Sequence, residues 1–269
     1  MFSVLMSLYN KEKPSNLSAC LKSLSLQTLA AGEVVIVYDG EINEELQAIV
    51  NCYSDLLNVK VQRLPQNVGL GKALNFGMHK CSYNIIARMD TDDICLPHRF
   101  EKQMSFLNEN KDISLLGSGI VEFDDYGNRR MKIMPSTDHE IKKFMKFKNP
   151  FNHMTVFFKR DSIINVGEYQ HHLFMEDYNL WLRVQSSGYK MHNLPDVLVE
   201  ARVGKQMIMR RRGLNYIKSE FKLAKLKIKL KNTNLIEGGI ILILRCIPRV
   251  LPYKFLSFLY NKDRKLVKQ

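Results

Sequence analysis

Residues 84–97 read Asn-Ile-Ile-Ala-Arg-Met-Asp-Thr-Asp-Asp-Ile-Cys-Leu-Pro. Asn84 to Met89 has the run of a buried strand, and it stops at three carboxylates, Asp90, Asp92 and Asp93. In open α/β sheets ligands bind beyond the carboxyl ends of the strands, so the cluster stands where chemistry is done. Packed together, the three would repel and raise one another's pKa. That arrangement stays favourable when a hard divalent cation, Mg²⁺ or Mn²⁺, takes their oxygens as ligands. One of them is placed to cap the helix that opens near Pro97, but capping does not account for all three. A phosphatase forming an aspartyl-phosphate would need Thr or Val at the fifth place and a cluster after its first strand. Here the fifth place is Ile94 and the cluster follows the fourth.

Upstream, the strand belongs to a regular alternation. Phe2 to Leu8 is an apolar run, and Pro14 opens a segment with Leu17, Cys20, Leu21, Leu24 and Thr28 at helical spacing. Glu33 to Tyr38 is a second buried strand closed by Asp39-Gly40. Glu44 to Leu56 is helical, and Val59 to Leu64 alternates as a third strand. Asn67-Val-Gly-Leu-Gly71 turns into a helix ending near Cys81. A βαβαβ rhythm of this kind predicts an α/β protein with a mainly parallel, Rossmann-like sheet flanked by helices.

Downstream, Pro97 starts a helix through Glu109, and Ile113 to Leu116 gives a fifth strand ending at Gly117-Ser118-Gly119. The rhythm then changes. Residues 120–200 mix strand-like pieces (Ile120 to Phe123, Met154 to Phe158, Val197 to Val203) with one helix, Glu176 to Ser187. The division expected is a first half over 1–118, a mixed second half over 119–205 and a C-terminal helical basic extension over 206–269.

Across 269 residues, 45% hydrophobic and 25% charged are values of a folded protein rather than a disordered one. The net charge of +13 is unevenly placed. Residues 202–269 hold 18 basic and 3 acidic residues, whereas 1–201 hold 22 basic and 24 acidic. A near-neutral body with a basic tail predicts an enzyme-like body held near a polyanionic surface, lipid or nucleic acid. Cys20, Cys52, Cys81, Cys95 and Cys246 are odd in number and lack a pairing or zinc spacing, so reduced thiols are expected. The N-terminus runs straight into an apolar strand-like stretch, which predicts a cytoplasmic chain. Gly238 to Leu244, the longest apolar run, is far too short to span a bilayer.

The chain resembles glycosyltransferase family 2, with the GT-A fold, and within it the bacterial enzymes that build surface polysaccharides such as O-antigen. The resemblance is carried by Ser3 to Asn10 (SVLMSLYN), Glu33 to Gly40 (EVVIVYDG), Asn67 to Gly77 (NVGLGKALNFG) and Ala87 to Pro97 (ARMDTDDICLP). A further block, Asn149 to Val203, contains Glu176-Asp177-Tyr178-Asn179-Leu180-Trp181, similar to the family's Glu-Asp motif.

The resemblance implies transfer of a hexose, with inversion, from a UDP-sugar to an acceptor hydroxyl, and it implies roles for residues. Asp93, helped by Asp92, would hold Mn²⁺ or Mg²⁺; Asp92 would also meet the donor's ribose, and Asp90 the backbone or the donor sugar. Inversion needs one base, which Asp177 matches, with Glu176 orienting it or the acceptor. Both also suit a charge cap at a helix start. Tyr9 would stack on uracil and Asp39 hydrogen-bond its edge, while Lys72 would meet the diphosphate or stand as an exposed helix lysine. Asn67 and Gly69 would shape their turn. His153 reads as a diphosphate contact or as a satisfied buried histidine. Trp181 reads as core. Two departures from the family pattern stand out. Tyr38 occupies the place of a usual first Asp, which puts nucleotide preference in question. After Arg202-Val203 the chain has Gly204-Lys205 where the family often has a late His.

In the extension, Arg210 to Arg212, Lys218, Lys222, Lys225 and Lys229 recur at helical spacing beside Phe221, Leu223, Leu226, Ile228 and Leu230. From Leu235 to Leu259 an apolar segment broken by Pro248 and Pro252 is ringed by Arg245, Arg249 and Lys254. This predicts an amphipathic segment lying on an anionic membrane, or a basic helix packing its apolar side on the body. Peripheral attachment to the cytoplasmic face of the bacterial inner membrane would suit an acceptor saccharide linked to polyprenyl diphosphate. A soluble or protein acceptor is the alternative within enzymes. A basic nucleic-acid-binding protein is the alternative class, opposed by the acidic body; a silent scaffold is opposed by the retained Asp92, Asp93 and Asp177.

Overall fold

The computed structural model describes residues 1–204, 209–251 and 264–266. In the first half, β1 (Ser3–Leu8), β2 (Glu33–Tyr38), β3 (Val59–Arg63) and β4 (Ile85–Arg88) alternate with α1 (Pro14–Ser25), α2 (Glu44–Cys52) and α3 (Leu70–Met78). The four strands pair in parallel in the order β4-β1-β2-β3. The order reverses between β1 and β4, which opens a crevice beyond their carboxyl ends. Both faces of the sheet are buried, as the unbroken apolar run of β2 requires. Val34, Ile36 and Tyr38 enter the core shared with α1 and α2, and Val35 and Val37 enter the one shared with α3. α1 starts on Pro14 at its first position, where a missing N–H costs nothing. α2 starts on Asn43, whose side chain accepts from the Leu46 amide.

The second half extends the same sheet. It comprises β5 (Ile94–Cys95), α4 (Arg99–Glu109), β6 (Ile113–Phe123), β7 (Arg129–Lys132), α5 (Asp138–Met145), a 3₁₀ turn (His153–Thr155), β8 (Phe157–Lys159), α6 (Arg160–Asn165), α7 (Glu176–Ser186) and β9 (Lys190–Arg202). β8 lies antiparallel between β4 and β6, and β6 pairs antiparallel with β7 and parallel with β9. The sheet is thus parallel in the first half and mixed in the second.

Two expectations are corrected here. The fifth strand does not stop at Gly117; it runs unbroken to Phe123, through the expected division at residue 118. Its glycines mark close approach: a side chain at Gly117 would run into Asn193 and Phe151, and one at Gly119 into Ile133. The stretch 120–200 also holds three α-helices rather than one. α5 opens with a capping box between Thr137 and Glu140, a signal present in the sequence as Thr-Asp-His-Glu. α6 is six residues long and carries no comparable signal.

The extension folds as a helical hairpin, α8 (Leu214–Lys229) and α9 (Leu235–Val250). α8 packs Tyr216 and Leu223 into the same core as α7. α9 runs through Pro248 to Val250, so the break expected there does not occur. Arg245 and Arg249 are not part of an outward ring: both turn inward to Glu220, which is 2% exposed. Pro252, Lys254 and the apolar residues from Phe255 to Leu259 lie outside the described residues, as does Lys205. β10 (Lys265–Leu266) pairs with β7, and Arg264 grips Glu122 on β6.

Candidate active site

Three strand ends frame the crevice. β4 leads into the acidic cluster, where one carboxylate oxygen from each of Asp90, Asp92 and Asp93 lies within 4.8 Å of the others. Asp93 is 2% exposed. Its Oδ1 accepts the Arg202 amide at 2.8 Å, while its Oδ2 is buried without a partner among the described residues. Burial, then the charges of Asp90 and Asp92, push the Asp93 carboxyl well up. Burial, then Asp90 and Glu12, raise Asp92 to about 6. An unpartnered buried oxygen within a set of three oxygen donors, two of which resist ionisation, fits a hard divalent cation. Asp92 and Asp93 would hold it.

Asp90 is differently engaged. The Arg88 guanidinium, 2% exposed at the end of β4, grips both of its oxygens, Nη1 to Oδ2 at 2.6 Å and Nη2 to Oδ1. Arg88 also receives support from below, because the fully buried Arg99 donates to its carbonyl at 2.7 Å. Next to the cluster, Thr91 donates to Glu12 at 2.7 Å, which ties the loop after β1 to the loop after β4.

At the end of β2, Asp39 shapes the neighbouring loop. Its Oδ1 accepts the Val68 amide at 2.7 Å and its Oδ2 the Gly69 amide at 3.1 Å, while Asn67 donates to its carbonyl. Asn67 and Gly69 therefore belong to the turn, and Asp39 holds the turn in place. Gly40 sits at φ +91°, where a Cβ would lie 2.8 Å from the Asn67 nitrogen, so only glycine fits. Tyr38 is 1% exposed in the core beneath, with the Arg63 guanidinium 4.7 Å from its ring centre. The residue that departs from the family pattern thus faces away from the crevice. Tyr9 is 44% exposed just beyond β1, and Lys72 is exposed on the first turn of α3.

The second half supplies the opposite wall. α7 begins at Glu176-Asp177, where the helix N-terminus favours negative charge. Asp177 Oδ2 accepts from the Asn149 side-chain amide at 2.6 Å and its Oδ1 from the Tyr178 amide at 2.7 Å. Burial raises the Asp177 carboxyl, opposed by these two bonds and by Arg88 and Arg211. Glu176, also raised chiefly by burial, lies over Gly71 in the first turn of α3. His153 bonds the Tyr169 hydroxyl through Nε2 at 2.8 Å, with its ring edge-on to Trp181. Burial, then Arg88, hold it well below the usual histidine range, and it is neutral. Trp181 is fully buried core.

One charge connects the two walls. Arg88 acts on Asp90, Asp92 and Asp93 on one side and on Asp177, His153 and Tyr169 on the other, so one buried charge bears on both the cluster and the candidate base. Arg88, Asn149 and Lys132 were not singled out from the sequence. A charged residue inside an apolar strand run was a signal for Arg88; nothing local marks Asn149. Lys132 on β7 donates to Asn152 at 2.7 Å, and burial, then Arg264, bring it down to about 8.

Residues 3–167 match the family described as glycosyl transferase family 2. The chain is 52% identical to the amylovoran biosynthesis glycosyltransferase AmsE of Erwinia amylovora over 265 residues, covering 98% of this chain and 100% of that one. It is 37% identical over 263 residues to the UDP-Gal:alpha-D-GlcNAc-diphosphoundecaprenol beta-1,3-galactosyltransferase of Escherichia coli, covering 97% and 95%. Among solved structures, S. aureus TarS 1-349 in complex with UDP-GlcNAc superposes with a TM-score of 0.68 at 20% identity, covering 90% of this chain and 70% of that one. At that identity the likeness is one of fold.

Proposed function

The chain belongs to glycosyltransferase family 2, and from that premise we propose that it moves a hexose from a UDP-sugar to a saccharide carried on polyprenyl diphosphate, with inversion, in bacterial surface-polysaccharide synthesis. The acceptor class is supported by the E. coli relative, whose name specifies a GlcNAc-diphosphoundecaprenol acceptor and a UDP-Gal donor. The observation that carries the reaction is Asp177: a carboxylate with a raised pKa, held by two hydrogen bonds and acted on by the same Arg88 charge as the acidic cluster.

In this reading Asp177 accepts the proton of the acceptor hydroxyl as that oxygen attacks the anomeric carbon. The bond to the diphosphate oxygen breaks on the opposite face, and UDP leaves with the electron pair. A raised pKa makes a carboxylate a stronger base near neutral pH, and its rigid hold gives direction. A divalent ion at Asp92 and Asp93 would supply positive charge for the leaving diphosphate. Asp39 keeps the 67–69 turn in shape beside the nucleotide, Tyr9 offers an exposed ring for the base, and Lys72 an exposed ammonium for the diphosphate. His153, neutral, offers a polar lining without a charge. Glu176 sits beside the base to orient the acceptor.

The outer face of α9 supports attachment to a membrane. Leu235, Ile236, Ile240, Ile243, Leu244, Ile247 and Val250 are all more than half exposed on one helix. Lys218, Lys222, Lys225 and Lys229 line α8 beside it, and basic residues near an anionic leaflet contribute about 1 kcal/mol each. No helix among the described residues is long and apolar enough to cross a membrane. Peripheral binding at the cytoplasmic face of the inner membrane is the arrangement that brings such an enzyme to a lipid-linked acceptor.

The deciding experiment measures UDP release from a panel of UDP-sugars with a polyprenyl diphosphate-linked GlcNAc acceptor, in Mn²⁺ and in EDTA, for the wild type and Asp177→Asn. Turnover of one donor that needs the metal and is lost in the variant is expected. A folded protein that binds none of the nucleotide sugars would overturn the reading. Co-sedimentation with vesicles containing anionic lipid tests the membrane face; an Ile240→Asp, Ile243→Asp, Ile247→Asp variant should remain in solution.

A further inference from the structure

The C-terminal hairpin reaches the active site through a string of three carbonyls. α5 ends at Met145, and the last carbonyls of a helix lack partners of their own. Here the carbonyls of Met145, Lys146 and Phe147 each receive a side-chain donor. The Tyr178 hydroxyl donates to Met145 at 2.5 Å, Lys227 Nζ to Lys146 at 2.7 Å, and Arg245 Nη1 to Phe147 at 2.5 Å. Two of the three donors come from the hairpin: Arg245 carries the favourable sign of charge at a helix C-terminus, and burial, then Arg245, bring the Lys227 ammonium down to about 7. Lys227 Nζ also donates to the Tyr178 hydroxyl at 2.9 Å, and Glu237 on α9 takes the Lys146 ammonium at 3.0 Å.

The donors are themselves held. Glu220 accepts from Arg245 at 2.6 and 3.0 Å and from Arg249 at 3.4 Å. Lys227 is 2% exposed, so burying its ammonium is unfavourable unless it is hydrogen-bonded, and the two oxygens it meets are the Lys146 carbonyl and the Tyr178 hydroxyl. Two residues beyond Phe147, Asn149 donates to Asp177. One residue after Asp177 comes Tyr178, pinned to the same string. The carboxylate is therefore bracketed on both sides by a segment that the hairpin clamps.

We propose that the hairpin is part of the catalytic apparatus as well as a docking face: Lys227 and Arg245 are positioning residues that fix segment 145–149 and thereby the Asn149 hydrogen bond that aims Asp177. This rests on Asp177 being the base. Loss of the Asn149 bond removes a stabilisation of the ionised carboxylate, so the acid limb of the rate profile moves to higher pH. The other groups bearing on Asp177 are Glu176 on its own helix, Arg88 from β4, Lys132 from β7, Arg211, and the hydroxyls of Tyr169 and Tyr178. Substituting Asn149 alters none of these; substituting Lys227 touches one, the Tyr178 hydroxyl to which it donates.

The test uses the full chain and a short-chain alkyl diphosphate-linked GlcNAc acceptor, so that vesicle binding plays no part, with whichever UDP-sugar turns over. kcat, donor KM and the pH profile are compared for Lys227→Met, Lys227→Arg, Asn149→Ala, the Lys227→Met/Asn149→Ala pair and Asp177→Asn. Lys227→Met should lower kcat about tenfold or more, leave donor KM within about twofold, and move the acid limb upward as Asn149→Ala does. The pair should be no worse than Asn149→Ala, because both act through one bond. Lys227→Arg, which keeps a donor, should recover much of kcat. The proposal is overturned by a Lys227→Met enzyme with wild-type kcat and acid limb, or by effects that add fully in the pair. Failure of the base assignment is separate: it is seen as activity retained in Asp177→Asn. If Lys227→Met binds UDP with wild-type affinity, loss of kcat is not loss of fold; Arg245→Met, reporting on Phe147, supplies a second reading.

Discussion

The Arg88 guanidinium lies buried at the end of β4 and grips both carboxylate oxygens of Asp90 two residues further on. It is a fixed counter-charge for a cluster that would otherwise repel itself. Arg88→Met should raise Asp92 and Asp93 further and weaken Mn²⁺ binding, by about 10–100-fold as for other partners that orient ligands. Calorimetric titration of the nucleotide-bound protein with Mn²⁺ checks this. Arg88→Lys should fall between, because one ammonium cannot reach both oxygens as the planar fork does.

Gly40 determines whether the turn at 67–69 can close on Asp39. With φ +91° and the Asn67 nitrogen 2.8 Å from a Cβ, Gly40→Ala should cost at least about 1 kcal/mol and weaken UDP binding. Urea midpoints and a UDP titration read the two effects.

Glu33, 1% exposed at the start of β2, gives a pH dependence with a definite sign. Burial alone would raise its pKa, but the Lys60 ammonium, the Ser3 hydroxyl and the Ser82 amide and hydroxyl bring it from 4.5 down to about 2. The folded state therefore binds this proton less readily than the unfolded one. Its stabilisation is present above about pH 4.5 and is lost as pH falls toward 2. The difference in urea midpoint between the wild type and Glu33→Gln should be constant from pH 7 to 5 and shrink below 4.5.

Glu220 is the buried anion of the hairpin, between Arg245 and Arg249. Glu220→Ala leaves two guanidinium groups facing each other and should destabilise the protein by about 3 kcal/mol. Replacing Glu220, Arg245 and Arg249 together by Met should cost less than Glu220→Ala alone in urea unfolding, because no charge is then stranded. kcat should still fall in that variant, because Phe147 has lost its donor.

Much of this molecule was legible in one dimension. The four parallel strands and the four helices of residues 1–109 follow from apolar period, Pro14 and the Asp39-Gly40 turn, all of which act within a few residues; the two-residue β5, defined only by its pairing with β9, does not. The acidic cluster was legible for the same reason: three carboxylates in four positions need no folding to be neighbours. Gly117 and Gly119 misled, because a glycine that admits Asn193 and a glycine that ends a strand look alike until the partner strand is in place.

The long-range relations were settled by packing. Tyr38 stands where a carboxylate is usual, yet which way it points follows from the alternation of β2 between two cores, and it points into the one shared with α1 and α2. Arg245 and Arg249 repeat on a helix with an apolar face, and periodicity assigns no preference between lipid and a buried Glu220 on another helix. Asn149 is 28 positions from Asp177, and Lys227 is 49 from Tyr178. Local propensity acts over one or two turns of chain. The partner of a polar group at such separations is chosen when burial removes water and leaves it one remaining oxygen or hydrogen to meet.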